Sequence, residues 1–234
     1  MKTLFLIPAP LADVDFRKVF PDYNIRIISE LRIFVVENIR TARRFIKRAA
    51  PEINIENLQF FELNNNTKLI DLQEIKNIFS SGEDIGLMSE AGCPAIADPG
   101  AELVNISQTF DYRIIPLVGA SAVLLSLMAS GFNGQNFAFI GYLPIKELDR
   151  IRAIKKLEIR AVSENQTQIF IETPYRNAKL INDLLQNLKP NTQLCIAADL
   201  TGESQIISTK KISAWKNSPI PDLNKRPAIF LIYK

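Results

Sequence analysis

The 234-residue chain contains no histidine. Imidazole is the usual general base near neutral pH and a common metal ligand, so its absence excludes Ser-His-Asp hydrolysis, Cys-His proteolysis and His-ligated metal catalysis. Cysteine is almost as scarce. Cys93 and Cys195 stand far apart without metal-ligand spacing, which argues against a disulfide framework and a zinc site, and no metal is expected. No stretch approaches the roughly 18 to 20 unbroken apolar residues of a membrane span. Met1-Lys2-Thr3-Leu4 leads directly into a strand pattern without a signal-peptide cleavage site, so the expectation is a cytoplasmic protein with no membrane contact. Neither G-x-G-x-x-G nor G-x-x-x-x-G-K-[ST] occurs, which leaves a standard dinucleotide fingerprint and a P-loop unsupported. What remains is chemistry carried by binding and positioning, or by carboxylates, lysine and tyrosine.

The chain does have ample apolar material. A hydrophobic content of 47% over this length is enough for one large α/β domain or two smaller ones. The net charge of +3 is mildly basic, which permits a nucleic-acid partner without arguing for one. In the first half, short runs rich in Val, Ile, Leu and Phe predict strands at Leu4 to Pro8, Ile33 to Val36, Ile85 to Met88 and Arg113 to Leu117. Helical patterns fall between and after them at Thr41 to Ala49, Leu69 to Phe79, Ala101 to Thr109 and Ser121 to Ser130. This βα alternation predicts a mostly parallel sheet covered by helices. The second half has strand patterns at Phe137 to Tyr142, Gln168 to Glu172, Leu194 to Ala198, Ile206 to Lys210 and Ala228 to Tyr233. Only two helices are clear there, about Ile151 to Ser163 and Asn177 to Leu188, so a mixed sheet is expected. Two α/β domains follow, 1–138 and 139–234, with the boundary beside Gly141-Tyr142-Leu143-Pro144.

Eight of the nine glycines lie between Gly82 and Gly141, so the permissive backbone clusters after the third and fourth strands, on the side of their carboxyl ends. Ligands of open α/β sheets bind at those ends, which makes the loops from Ser89 and from Gly119 the default site. The stretch Leu87-Met-Ser-Glu-Ala-Gly-Cys-Pro-Ala-Ile-Ala-Asp-Pro-Gly100 carries more turn chemistry than a plain connection needs. Within it, Asp98 reads as the N-cap of the next helix with Pro99 at the first helical position. Thr173, before Pro174, reads as a cap in the same way. Glu172 ends a buried strand and is either a buried ion-pair member or a site residue. Glu37 ends the second strand and either favours the positive end of the following helix or belongs to the site. Arg40, Arg43, Arg44, Lys47 and Arg48 share one helical face, which is either solvated or a phosphate-contacting stripe. Arg150, Arg152, Lys155, Lys156 and Arg160 could extend it, but few aromatics are interleaved, so base stacking is not suggested. Cys93, with no cation cluster nearby, reads as a small loop residue facing a ligand.

These residues carry a family resemblance. Leu87 to Gly100 resembles the S-D-A-G-T-P-x-I-x-D-P-G loop of the tetrapyrrole-methylase-like (class III) S-adenosylmethionine-dependent methyltransferases. The closest branch is the one that 2′-O-methylates a cytidine ribose in small-subunit ribosomal RNA. Leu6-Ile-Pro-Ala-Pro10 is similar to the first strand and loop of that branch, and Val36-Glu-Asn-Ile-Arg-Thr41 to its A-E-D-T-R segment. Pro116 to Ala122 resembles P-L-P-G-P-C/S-A, and Ala129 to Phe132 with Phe139 to Pro144 resembles A-S-G-L and F-x-G-F-L-P. Ile169 to Arg176 is similar to I-F-Y-E-S-P-H-R, and Asp199-Leu200-Thr201 to the end of R-E-L-T.

The resemblance implies two α/β domains with S-adenosylmethionine in the cleft between them, and a homodimer. It places Pro8, Glu90, Cys93, Ser121 and Ala122 along the cofactor in the first domain, and Tyr142, Thr173, Leu200 and Pro227 in the second. It implies RNA methylation, with Glu37 taking the hydroxyl proton and Arg40 beside it binding phosphate or orienting the carboxylate. A methyltransferase acting on a tetrapyrrole or other small molecule, and an inactive S-adenosylmethionine- or RNA-binding module, are the alternatives. The chain departs from the family at Glu90 (aspartate), Cys93 (threonine), Asn38 (aspartate) and Tyr175 (histidine). Leu11-Ala12-Asp13 replaces a glycine-asparagine-leucine segment.

Overall fold

The computed structural model describes residues 2–64, 73 and 77–234. The chain divides into two compact units, Met1–Ser121 and Ala122–Lys234. This division falls earlier than the expected 138/139, because helix Ala122–Ser130 packs on strands Ile206–Lys211 and Ala228–Tyr233 of the second unit.

The first unit is built on a five-stranded, all-parallel sheet. Its strands are β1 (Thr3–Ile7), β2 (Ile33–Val36), β3 (Gln59–Glu62), β4 (Ile85–Met88) and β5 (Arg113–Pro116), in the order β3-β2-β4-β1-β5. Period-2 alternation sorts the central strands onto two cores. Phe5, Ile7, Phe34, Val36 and Met88 pack with helices α1 (Phe16–Val19), α2 (Asp22–Glu30) and α3 (Ile39–Ala49). Leu4, Ile33, Val35, Ile85 and Leu87 face the opposite way, against Ile78, Phe79 and Leu103, the last from α4 (Ala101–Thr109). The helices that follow β1 and β2 therefore cover one face, and α4, which follows β4, covers the other. Adjacent strands β1 and β4 send their chains to opposite faces, which opens a crevice at their carboxyl ends.

The expected helix Leu69 to Phe79 lies largely outside the described residues, although residues 77–81 are helical. Elements additional to the sequence expectation include α1 and α2, a 3-10 turn at Ile55–Asn57, the short helix Ile212–Lys216 in the second unit, and the half-buried edge strand β3, which has no apolar alternation to mark it.

The second unit opens with α5 (Ala122–Ser130) and carries a mixed sheet of β6 (Phe137–Tyr142), β7 (Thr167–Ile171), β8 (Gln193–Ala198), β9 (Ile206–Lys211) and β10 (Ala228–Tyr233). The order is β6-β7-β10-β8-β9, with β6 and β7 parallel and the other pairs antiparallel. Helices α6 (Glu147–Ser163) and α7 (Asn177–Asn187) and the short α8 (Ile212–Lys216) bury Ile154, Leu157, Leu180, Leu184 and Trp215 against Phe170, Ile196 and Phe230. Among the described residues no helix is long and apolar enough to cross a membrane.

Candidate functional site

In the first unit the expected site residues gather at one edge of the sheet, the carboxyl ends of its strands. Pro8 follows β1, Glu37 follows β2, Glu90 and Cys93 follow β4, and Ser121 ends the segment after β5. Ala9 and Gly92 tie two of these loops together by reciprocal backbone hydrogen bonds of 2.8 and 2.9 Å, an antiparallel bridge beside a parallel sheet. The Cys93 thiol lies 3.5 Å from the Ala120 carbonyl, so the loops after β4 and β5 also touch. Desolvation raises the Cys93 pKa, which keeps it a neutral thiol. At Gly119 an added Cβ would stand 2.4 Å from the Pro8 Cβ, so only glycine lets the loops after β1 and β5 approach this closely. At Gly92 it is the φ of +74°, not crowding, that favours glycine.

The carboxylates at this edge are organised. Glu37 accepts the Glu90 backbone N–H through Oε2 at 3.2 Å, and the Thr41 hydroxyl donates to Glu90 Oε1 at 3.1 Å. Asn38 caps α3, its Oδ1 accepting the N–H groups of Arg40 and Thr41 at 3.0 and 3.2 Å. The uncharged amide therefore keeps the cap that an aspartate would make.

Asp98 is not the helix cap expected of it. Ala95 and Ala97 adopt positive φ, and the N-cap of α4 is Gly100, whose φ of 135° lies outside the helical range. Asp98 instead turns its half-buried carboxyl toward Ser89, Glu37 and Glu90. Its pKa rises to about 6, chiefly through desolvation, with Glu37 and Glu90 adding to the rise and a hydrogen bond to Ser89 opposing it.

Beside these groups lies a cavity of about 260 Å³, walled by α3 on one side and the segment from Ala9 to Phe16 on the other. Glu37, Ser89 and Glu90 line one part of it, and Arg44, Phe45, Arg48 and Phe16 another. Sequence reasoning did not place Phe16 or Phe45 here. They are remote from each other in the chain and carry no shared motif, yet their rings meet with centroids 5.3 Å apart.

In the second unit the expected residues again share one sheet edge. Tyr142 ends β6, Thr173 follows β7, Leu200 follows β8, and Pro227 precedes the antiparallel β10. Thr173 does not cap a helix by its side chain, because α7 starts at Asn177 with no side-chain cap bond. Glu172 is buried and takes the ion-pair role, its Oε1 accepting from Arg176 Nε and Nη2 at 2.9 and 2.6 Å and from the Thr173 N–H at 2.7 Å. Asp199 and Thr201 have φ of 47° and 71°, and the buried Thr201 hydroxyl has no hydrogen-bond partner among the described residues.

The relatives decide the family. A ribosomal RNA small subunit methyltransferase I from Buchnera aphidicola subsp. Acyrthosiphon pisum is 30% identical over 216 residues, which cover 90% of this chain and 70% of that protein. The chain belongs to the ribosomal RNA small subunit methyltransferase I family. No protein-family model matches it. Among solved structures, the methyltransferase CobJ superposes with a TM-score of 0.64 at 16% identity, covering 100% of this chain and 95% of that one. The uroporphyrin-III C-methyl transferase from Thermus thermophilus, complexed with S-adenyl homocysteine, gives a TM-score of 0.57 at 12% identity, over 99% and 97%. These two likenesses establish the fold of two α/β domains.

The family's cofactor, S-adenosylmethionine, carries an amino-acid end and an adenosine end, both rich in hydrogen-bonding groups. The residues present fit such a molecule. The first unit by itself offers backbone groups in loops held close together at Gly119.

Proposed function

We propose that this chain transfers a methyl group from S-adenosylmethionine to a ribose 2′-hydroxyl of small-subunit ribosomal RNA. The observation that carries the reading is the Glu37 carboxylate at the wall of the 260 Å³ cavity, with two arginines on the adjoining helix that have no partner among the described residues. A cavity this size suits one nucleoside better than a tetrapyrrole macrocycle, and a cationic rim suits a phosphodiester chain.

Pro8, Glu90, Cys93 and Ser121 would hold the cofactor from the first unit, and Ala122 at the start of α5, Tyr142, Thr173, Leu200 and Pro227 from the second. When bound, S-adenosylmethionine supplies a methyl whose bond to sulfur breaks as the bond to the ribose oxygen forms, leaving a neutral thioether. Glu37 takes the hydroxyl proton. Its Oε2 is held by the Glu90 N–H, and among the described residues its Oε1 accepts no hydrogen bond and is free for that task. Arg40, exposed at the first turn of α3, contacts phosphate and orients the acceptor beside Glu37. Alignment of donor and acceptor supplies most of the acceleration, because the methyl is already activated.

The test is transfer of labelled methyl to small ribosomal subunits, followed by alkaline hydrolysis of the RNA. Label in alkali-resistant dinucleotides is the expected result, because a methylated 2′-oxygen cannot attack the adjoining phosphodiester. Label in mononucleotides, in uroporphyrinogen supplied in parallel, or in no acceptor at all while the cofactor binds, would overturn the assignment.

A further inference from the structure

Five cations of α3 share one side of the helix, yet the structure treats them unequally. Arg43 is paired with Glu56, and its guanidinium lies 5.9 Å from the centre of the Phe60 ring. Lys47 donates to the carbonyls of Pro51 and Ile53 at 2.5 and 3.0 Å. Arg48 is paired with Asp13, donates to the Val14 carbonyl at 2.5 Å, and lies 4.8 Å from the centre of the Phe16 ring. Arg40 and Arg44 make no hydrogen bond or ion pair among the described residues. They lie one helical turn apart on the same face.

Arg44 lines the cavity and Arg40 does not, so the two cations address points inside and outside it. The Phe16 and Phe45 rings give the cavity an aromatic wall, and Glu37, Ser89 and Glu90 give it a polar end. An aromatic wall, a cation within and a carboxylate at the end match the base, phosphate and hydroxyl of one ribonucleotide. The second cation outside has a counterpart only if that nucleotide belongs to a strand. The geometry points to this groove as the seat of an unstacked nucleotide of single-stranded RNA. Its base lies on Phe16 and Phe45, its phosphate meets Arg44, and the neighbouring phosphate meets Arg40. This inference rests on the reading of the chain as an RNA methyltransferase and names the acceptor subsite.

The Asp13–Arg48 pair bears on the same groove. Asp13 stands in Leu11-Ala12-Asp13, where the chain departs from its family pattern, and it occupies a cation that would otherwise face the RNA. The sequence interleaves few aromatics with its basic residues, so this aromatic wall has no local signal. Its two rings come from α1 and α3 and meet only in the fold.

The test is fluorescence anisotropy of a fluorescein-labelled 12-nucleotide single-stranded RNA titrated with the full chain at several salt concentrations, with S-adenosylmethionine calorimetry on each variant as the control for folding. Arg44→Gln and Arg40→Gln should each weaken binding several-fold and lower the slope of log affinity against log salt by about one. Phe45→Leu should weaken binding about tenfold with the slope unchanged, as loss of a base stack requires. Asp13→Asn should release Arg48, tighten binding several-fold and raise the slope. Arg43→Gln and Lys47→Gln should match the wild type. Equal loss at Arg43 and Arg44, an unchanged slope in Arg44→Gln, or no RNA binding by the wild type would overturn the groove assignment. The expected variant pattern in a chain that transfers no methyl would uphold the groove and overturn the enzyme reading instead.

Discussion

Glu37 Oε2 accepts the backbone N–H of Glu90 at 3.2 Å, so the carboxylate that ends β2 is fixed in place by the loop leaving β4. This bond orients the carboxylate without consuming its second oxygen, which the proposed role of Glu37 as base needs. Glu37→Gln keeps an acceptor for the Glu90 N–H but cannot take a proton. It should lower methyl transfer by about 10²- to 10⁴-fold while leaving S-adenosylmethionine affinity within a few-fold of wild type, as read by single-turnover assays and calorimetry.

Asp98 makes stability depend on pH in the unusual direction for an acid. Its pKa in the folded chain is about 6, above the ordinary 3.8, so protonation favours the fold. The contribution is fully present below about pH 4 and lost as pH rises through 6. A full shift of this size would be about 3 kcal/mol at pH 7, and half-exposure to solvent reduces it to about 1 kcal/mol. Asp98→Asn should therefore melt about 2–4 °C higher than wild type at pH 7.5 and at the same temperature near pH 4. An advantage independent of pH would show that the carboxyl is not the cause.

The Pro8–Gly119 approach makes a steric prediction. In Gly119→Ala the new methyl would meet the rigid Pro8 ring at 2.4 Å, and the loops must separate. A cost of about 1–3 kcal/mol is expected, with loss of cofactor binding greater than the loss of stability. A variant with wild-type melting temperature and S-adenosylmethionine affinity would show that the close approach is not required.

Ser121→Trp tests the expected cofactor loop directly. An indole at the end of the loop after β5 should abolish calorimetric S-adenosylmethionine binding while the melting temperature stays within a few degrees of wild type. Unchanged affinity would remove Ser121 from the cofactor-binding set.

In the second unit, buried Arg150 donates from Nε to Asp183 Oδ2 at 2.7 Å and from Nη1 to the Ile145 carbonyl at 2.6 Å. Arg150→Met strands a buried carboxylate and should destabilise by about 3–5 kcal/mol. Arg150→Met with Asp183→Leu should recover much of that loss, measured by chemical denaturation. The pair also removes one of the five cations of α6 from any role with RNA.

The regular elements were legible because periodicity reports burial. Ile33–Val36, Ile85–Met88, Ala101–Thr109, Phe137–Tyr142 and Ala228–Tyr233 have the bounds their patterns predicted. The chain from Ala12 to Leu31 was not legible. The four-residue α1 is too short to show a period, and α2 follows a proline in a stretch of mixed polarity. That gap hid Phe16 and Asp13, and with them the far wall of the groove. Position along a strand revealed the site edge, since residues after strand ends collect there whatever their chemistry. Which cations stay free could not be read from the helix, because Glu56, Asp13 and the Pro51 carbonyl that occupy the others come from other segments. Asp98 was misread for a related reason. Asp-Pro-Gly fits a cap locally, but the positive φ values at Ala95, Ala97 and Gly100 rotate the chain so that the helix begins later.

The Ala9–Gly92 bridge has a mechanical consequence. By two short hydrogen bonds it welds the turn after the first strand to the turn after the fourth, the two places where the chain leaves the sheet for opposite faces. A displacement of either turn is carried to the other, so the loops after β1 and β4 respond as one rigid bracket. Amide exchange at Ala9 and Gly92 should slow together when either side is filled.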